Sequence, residues 1–250
     1  MSRTDAATIQ SPDAQGAGLT AERLDALRYN NATTHPFEVG GIMRGLMAEG
    51  VRVLDVGCGT GAVTAAANQG KDNEVIGIEP DPSRAVAARE RGLEVYNQFL
   101  DAEFIGRKGP FDVVMLSDVI EHVPSPDKLI RLSMLALRPG GYMLISVPNV
   151  AHWSVRLNLL RGRFDYEAVG IMDATHLRWF TERTIRAVVE SCGLKVERVC
   201  HSAGRDLTVY SSRPLKFIPG RARNFAVRSL CRMFPRLFGA QHVIKARFQN

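Results

Sequence analysis

Two hundred and fifty residues, 45% of them hydrophobic, suffice to bury one sizeable core, which predicts a single domain with decorations. The formal charge of +6 is concentrated after Asp206, where nine basic residues stand without an acid; the rest carries 23 basic against 26 acidic residues, which excludes a general nucleic-acid-binding surface. With no apolar run near the ~20 residues of a membrane span, no signal-peptide h-region, and Cys58, Cys192, Cys200 and Cys231 in neither C-x-x-C nor zinc spacing, a soluble cytoplasmic protein with free thiols is expected.

Residues 1–19 are small and polar without periodicity and read as a disordered tail, leaving 20–250 as the domain. Thr20 is placed as an N-cap, followed by an apolar stripe through Leu24 and Leu27 to Tyr29. A second helix is predicted from Pro36 to Ala48, with Phe37, Ile42, Met43, Leu46 and Met47 apolar. Val51-Arg52-Val53-Leu54 reads as a buried strand that runs into Asp55 and a turn with glycines at 57, 59 and 61, after which Ala62 to Ala67 opens a helix. Glycine is needed where the backbone takes positive φ or a ligand comes closer than a Cβ allows. The first N–H groups of the helix favour a polar or anionic ligand part. The third glycine comes one residue early for G-x-G-x-x-G, and the Asp55 carboxylate would repel a pyrophosphate, which disfavours a dinucleotide oxidoreductase. An amino-acid ammonium group suits Asp55. Glu74 to Glu79 is the next strand, and Glu79 at its end is a bidentate acceptor for the two hydroxyls of an adenosyl ribose.

Asp81-Pro82 starts a helix through Arg91, Gly92 breaks it, and Leu93 to Tyr96 is a short strand. Residues 97–110 are expected to be irregular. Phe111 to Leu116 is the fourth strand, Pro126 to Leu137 a helix, and Tyr142 to Val147 the fifth strand after the Pro139-Gly140-Gly141 turn. The segment 149–180 interrupts this alternation and gathers Trp153, Trp179, His152, His176, Arg156, Arg161, Arg163 and Arg178. A helix resumes from Thr181 to Cys192, Gly193 ends it, and Leu194 to Val199 is the sixth strand. His242 to Phe248 alternates as an edge strand antiparallel to the sixth, which makes 203–240 an insertion. The βαβα order argues for a parallel sheet with helices on both faces.

Through LDVGCGTG (54–61), IGIEPDP (76–82), FDVVMLSDVIEHVPSP (111–126) and LRPGGYMLISVPN (137–149), in this order and at this spacing, the chain resembles the class I S-adenosylmethionine-dependent methyltransferases. The resemblance implies a Rossmann-like α/β fold: a doubly wound, mostly parallel seven-stranded sheet with helices on both faces and an antiparallel edge strand. It implies a cofactor-binding core at 50–148, an acceptor-side insertion at 149–180 and a basic insertion or lid at 203–240. S-adenosyl-L-methionine is the implied cofactor, held by Asp55, Gly57, Cys58, Gly59, Gly61, Glu79, Pro80, Ser117 and Asp118, with Gln98 or Asp101 against the adenine. Tyr29 and His35 fall near the cofactor on the same grounds, or else pack the leading helix pair.

Methyl transfer from a sulfonium needs an acceptor atom held in line and, for a hydroxyl, a destination for its proton. Ligands of open α/β sheets lie beyond the carboxyl ends of the strands, which selects Asp118, Glu121 and His122 after the fourth strand, and His152 and His176 after the fifth. Asp118, Glu121 and His122 stand at i, i+3 and i+4, on one face of a helical turn. Similar residues are thought to form a divalent-ion site in ubiquinone-type O-methyltransferases. A structural role for Glu121 and His122 is the favoured reading, since three ligands from one turn rarely satisfy octahedral oxygen coordination, and no metal is assigned. His176, beside Asp173 in DATHLRWF, is assigned with His122 as catalytic, because a neighbouring acid can raise its basicity and fix its tautomer as suits a general base; the alternative is a histidine hydrogen-bonded in a lid.

PNVAHWSVRLNLLRGRFDY followed by THLRWFT resembles methyltransferases associated with surface-glycan and lipid-linked sugar assembly. That likeness nominates a small-molecule partner, a sugar-containing or other hydroxylated acceptor, with no nucleic acid. The alternatives are O-methylation of a phenolic or quinone intermediate, N-methylation of an amine, and a catalytically silent binding subunit of a glycan-assembly complex. Arg221 to Phe234 forms a basic amphipathic helix, with Val227, Leu230, Cys231 and Phe234 on one face and Arg221, Arg228 and Arg232 on the other. It either rests peripherally on an anionic membrane, where a lipid-linked acceptor would be found, or covers the active site with its apolar face inward.

Overall fold

Unbroken apolar runs such as Val113–Leu116 and Met143–Ile145 suit strands covered on both faces. In the computed structural model, which describes residues 24–205, 207–211 and 217–248, they form the centre of a seven-stranded sheet. Strands β1 (Arg52–Val56), β2 (Glu74–Ile78), β3 (Glu94–Tyr96), β4 (Phe111–Ser117) and β5 (Leu137–Pro148) pair in parallel. Strands β6 (Leu194–Ser202) and β7 (Gln241–Phe248) complete the order β3-β2-β1-β4-β5-β7-β6. Strand β7 is antiparallel to β6, as its alternation predicts, and also to β5, so it lies between them and β6 takes the edge.

The helices are α1 (Val39–Leu46), α2 (Ala62–Asn68), α3 (Pro82–Glu90), α4 (Ala102–Lys108), α5 (Pro126–Met134), α6 (Trp153–Leu160), α7 (Glu182–Ser191), α8 (Thr208–Ser211), α9 (Gly220–Met233) and α10 (Pro235–Phe238). Because successive strand residues point to opposite faces, Val53, Val113, Met115 and Leu144 meet Ile42, Met43 and Leu46 of α1 on one side of the sheet. Leu54, Val114, Leu116 and Ile145 meet Phe104 of α4, Ile130 of α5, and Ile185 and Val189 of α7 on the other. Among the described residues no helix is long and apolar enough to cross a membrane.

Four expectations need correction. Residues 24–29 form turns rather than the end of a helix, with Arg28 N donating to Asp25 O; Thr20 and the tail 1–19 lie outside the described residues, as do Arg213 and Lys216 of the basic segment. The second helix is shorter, α1 instead of 36–48, because the His35 carbonyl accepts from Glu38 N in a turn that precedes it. Residues 97–110 are not irregular: Asp101 Oδ1 accepts from Phe104 N at 2.7 Å and caps α4. Only Phe104 of that helix is fully covered, too few apolar positions to betray a helical period. The 149–180 segment contains α6, whose first turn is set by His152 Nδ1 opposite Ser154 N and Oγ.

The two insertions are fastened to each other. Buried Asn149 donates through Nδ2 to Gly239 O at 2.8 Å and Arg236 O at 3.1 Å, and Asn149 N donates to Ala240 O. His152 Nε2 and Trp153 Nε1 both reach the Tyr210 hydroxyl, at 3.2 and 3.3 Å. Helix α9 turns Val227 and Cys231 inward against Ala203 and Tyr210, whereas Phe234, expected on the same face, is exposed.

A glycine in the middle of β2 has a packing reason: a Cβ at Gly77 would stand 2.7 Å from Cys58 Sγ. Gly77→Ala is expected to destabilise the fold by about 1–3 kcal/mol through overpacking, and Cys58→Ala is expected to recover most of that loss. Urea midpoints of the two single variants and the double variant check this. Costs that add to within about 0.5 kcal/mol would show that the two positions do not compete.

Candidate active site

The glycine turn is shaped by what it touches. Gly57 N and Cys58 N both donate to Ile78 O, at 2.7 and 3.0 Å, which locks the turn onto the end of β2. A Cβ at Gly57 or Gly61 would strike the side chain of Val119 or Leu93, whereas at Gly59, with φ +56°, it would meet nothing within 4 Å. Gly59 is therefore glycine for its left-handed backbone, and the space in front of it is open. The Cys58 side chain packs with Ala85, Ala88 and Val95, so only its main chain faces the turn's outer side.

Two buried carboxylates flank this turn. Glu79 Oε2 accepts from Gly59 N at 2.8 Å and Oε1 from Asp81 N at 2.9 Å. Asp55 Oδ2 accepts from Thr64 Oγ1 at 2.5 Å, while Oδ1 is buried without a partner among the described residues. Burial pushes the Asp55 carboxyl up to about 6; the Thr64 bond opposes this and the charge of Glu79 adds to it. Asn97 donates to the carbonyls of Glu79 and Pro80, at 2.8 and 2.9 Å, and fixes the main chain beside the exposed Pro80 ring. Nothing in the sequence distinguished Asn97 from an ordinary loop amide. Of the two adenine-side candidates, Asp101 caps α4 and the Gln98 amide reaches Phe99 O at 3.4 Å.

A strap from Arg28 to Asn31 crosses the turn. Thr60 Oγ1 donates to Tyr29 O at 3.1 Å, and Arg91 donates to Thr60 O and to Asn30. Its other anchor is Asp173, fully buried, which accepts from Tyr29 Oη at 2.7 Å, from Arg28 Nη2 at 3.1 Å and from Thr175 Oγ1 at 2.6 Å. Burial works to raise Asp173, yet these bonds and the Arg28 charge outweigh it and hold the carboxyl below its ordinary range. The Tyr29 main chain thus stands beside the turn. The His35 Nδ1 faces Phe37 N at 3.2 Å and its ring packs on Phe37.

Beyond β4, Asp118 takes φ +53°, and its carboxylate accepts from Ser146 Oγ at 3.0 Å and Gln241 Nε2 at 2.8 Å. Burial raises it to about 6, with both bonds opposing. Ser117 Oγ lies 3.2 Å from Ser146 Oγ. Asp118 is thereby drawn toward β5 and β7 by Ser146 and Gln241 rather than joined to Glu121 and His122. A different set converges. Glu121 is buried, and neither carboxylate oxygen has a partner among the described residues. Burial, reinforced by Asp118 and Asp173, raises its carboxyl well above the usual range. The rings of His122 and His176 meet edge to face at 4.8 Å. One nitrogen of each and one Glu121 oxygen lie within 4.8 Å of one another.

His176 Nδ1 donates to Ile171 O at 3.1 Å, which leaves Nε2 as the acceptor. Asp173 acts to raise this imidazole as anticipated, but the net shift is the opposite. Burial and the neighbouring His122 lower it to about 4 and outweigh the favourable charge of Asp173. His122 Nδ1 faces Thr175 O at 3.2 Å and is lowered chiefly by burial. His152, the other candidate after β5, is wholly buried on Ser154 and Tyr210 and belongs to the insertion's framework.

A family defined as a methyltransferase domain matches residues 19–199. The ubiquinone biosynthesis O-methyltransferase of Stutzerimonas stutzeri is 33% identical over 121 residues, 46% of this chain and 52% of that protein, so the chain spans about half the length of the curated relatives it matches. A solved S-adenosylmethionine-dependent methyltransferase of Archaeoglobus fulgidus superposes with TM-score 0.53 at 24% identity, over 83% of this chain and 92% of its own. The 1,6-didemethyltoxoflavin-N1-methyltransferase of Burkholderia thailandensis, solved with S-adenosylhomocysteine, gives TM-score 0.53 at 17% identity, over 89% of this chain and 80% of its own. These two likenesses concern the fold. With the family match spanning most of the chain, and the strand–glycine turn–helix and the acid after β2 in place, the chain belongs to the methyltransferase-domain family, of the class I S-adenosylmethionine-dependent type.

Proposed function

We propose that the chain transfers a methyl group from S-adenosylmethionine to a hydroxyl of a small, sugar-containing or otherwise hydroxylated metabolite, in the cytoplasm. The observation that carries this reading is the neutral His176 imidazole, its Nδ1 fixed on Ile171 O and its Nε2 left as acceptor beyond the end of β4. The residues fit the cofactor: Asp55 Oδ1 lacks a partner for an ammonium group, Glu79 retains acceptor lone pairs for the ribose, and Gly59 leaves its Cβ volume empty. When bound, the cofactor supplies a methyl on a leaving group that needs no protonation. The chain's part is to position the acceptor, exclude water beneath the Arg28–Asn31 strap, and receive the hydroxyl proton on His176 Nε2.

A sugar-containing acceptor is supported by the partly exposed rings of Phe164 and Tyr166, which meet Trp179 at 5.5 and 6.3 Å, three residues beyond His176. Such rings present apolar faces to the C–H faces of a pyranose while leaving hydroxyls to polar groups. Helix α9, with Val227 and Cys231 turned inward, supports the role of lid; its exposed Phe225 and Met233, with Arg221 and Arg232, would carry a peripheral contact with a membrane holding a lipid-linked acceptor.

One observation favours a second reading, metal-assisted O-methylation of a phenolic acceptor. The two orphaned Glu121 oxygens beside His122 and His176 are a donor set that a divalent ion would satisfy. The Stutzerimonas relative, by name a ubiquinone biosynthesis O-methyltransferase, supports the O-methylation part of this reading.

Glu79→Gln is expected to weaken S-adenosylhomocysteine binding by about 1.5–3 kcal/mol, the range for hydrogen bonds to a charged group. Calorimetry reads it, and an unchanged dissociation constant removes the ribose role. Gly59→Val is expected to lose cofactor binding while retaining the far-ultraviolet circular dichroism of the wild type; wild-type affinity would show that the space before Gly59 is not the cofactor's.

His176→Ala is expected to lower turnover ~100- to 10,000-fold with cofactor affinity nearly unchanged. Because the base acts unprotonated and burial lowers it to about 4, the acid limb of kcat/KM should lie below pH 6, not at the ordinary histidine value. A limb near pH 6.5 would place the base elsewhere. Loss of activity in chelator, with a mild His176→Ala effect, selects the metal reading; indifference to both selects an amine acceptor. Cofactor binding without transfer to any acceptor in cell extract selects a silent subunit.

A further inference from the structure

A second convergence of ligand atoms lies outside the site described above. Glu182 opens α7, His201 is the penultimate residue of β6, and His242, directly opposite His201 in the register, is the second residue of β7. Glu182 Oε2 is 3.1 Å from His201 Nε2, and the two imidazole rings meet edge to face at 5.2 Å. His242 is wholly buried, and neither of its ring nitrogens has a partner among the described residues. A buried imidazole with both nitrogens unmatched is costly, because desolvation is not offset by any bond. The fold keeps it beside a carboxylate and a second imidazole.

We propose that Glu182, His201 and His242 form a binding site for a borderline divalent transition-metal ion, zinc first among them. One ligand atom from each lies within 4.8 Å of the others. The Glu182–His201 separation of 3.1 Å is already close to the spacing of about 3.4 Å between two ligands on a tetrahedral zinc with bonds of roughly 2.1 Å. Two imidazoles and one carboxylate suit zinc, cobalt or nickel, and not magnesium or calcium, which prefer an all-oxygen shell. Burial holds both imidazoles below their ordinary range, so each is in the neutral, ligating form.

An outer partner is in place. Arg236 donates to Glu182 Oε1 through Nη2 and to Oε2 through Nε, each at 3.0 Å. On metal binding it retains Oε1, which orients the carboxylate, while Oε2 turns to the ion. Arg236 is largely exposed, so the high dielectric of water weakens the repulsion between its charge and the cation. A cleft lined by Glu182, His201, Phe234, Pro235 and Arg236 gives access to two members of the cluster, while His242 is wholly buried. The bound ion ties α7, β6 and β7 together at the point where the 203–240 insertion leaves the sheet and returns. This site is separate from Glu121, His122 and His176, which are held on the turn after β4 and on the 149–180 segment.

The test uses the full chain, stripped with chelator and titrated with zinc or cobalt chloride. Metal content by elemental analysis and the visible absorption of four-coordinate cobalt are read in wild type, His242→Gln, His201→Gln and Glu121→Gln. The proposal expects one metal equivalent to persist in Glu121→Gln. In each histidine variant that equivalent is expected to disappear or weaken at least about tenfold, the smallest effect seen on losing even an outer-shell partner. His201→Gln, at a partly exposed position, decides the matter if His242→Gln does not fold. Absence of stoichiometric metal in the wild type overturns the proposal. So does metal that both foldable histidine variants retain, or metal lost only with Glu121→Gln.

Discussion

Two acids buried within reach of each other's charge set the terms for the cofactor half of this molecule. Asp55 and Glu79 end neighbouring parallel strands, so the sheet register brings them to the same edge whether or not a ligand is present. Like charges held together in a dry place destabilise one another. The chain offsets this with donors drawn from every adjacent element: Thr64 from α2, Gly59 from the turn and Asp81 from the start of α3. The glycine turn can therefore be seen as the conformation that delivers an N–H to Glu79. Asp55 Oδ1 remains unmatched, and a cationic group placed there would relieve the repulsion it now shares with Glu79.

The 149–180 segment carries a third buried acid, used in the opposite way. Asp173 is saturated with donors from Arg28, Tyr29 and Thr175 and so is held ionised; its function is to pin the strap over the glycine turn. Glu121 has no donors among the described residues, and burial raises its carboxyl well above the usual range. The contrast shows how hydrogen-bond supply, more than burial itself, decides what a buried carboxyl does. His176 is a weaker base than usual for another reason: burial and the neighbouring His122 disfavour its charged form and outweigh the charge of Asp173.

Much of the cofactor half was legible in the sequence, because its signals are local. The glycine positions, the acid ending β2 and the continuous apolar strands each follow from a few adjacent residues, and the sheet places them together. What escaped was non-local. Asp173 and His176 are three residues apart, which suggested a pair, while the partners that claim Asp173 come from residues 28 and 29, about 145 positions away. Asp118 likewise looked like a member of the Glu121–His122 turn until Ser146 and Gln241, on two later strands, drew its carboxylate aside. Helix α4 was hidden by its shortness, since one buried phenylalanine makes no period. The cluster of Glu182, His201 and His242 had no sequence signal at all, its members being brought together only by strand pairing and a helix start.

The placement of β7 has a bearing on how the protein is made. Strand β5 finds its outer neighbour not in the next strand to be synthesised but in one that begins 93 residues after Pro148, and β6 reaches the sheet only through that strand. At a ribosomal rate of about 5–20 residues per second, the outer edge of β5, with the run Met143 to Val147, waits roughly 5–20 seconds for its partner. An apolar strand with unpaired backbone groups is a template for association with other chains. The nascent protein thus passes through an interval in which its future centre is an open edge, and the cell's chaperones, not the finished fold, are what must cover it.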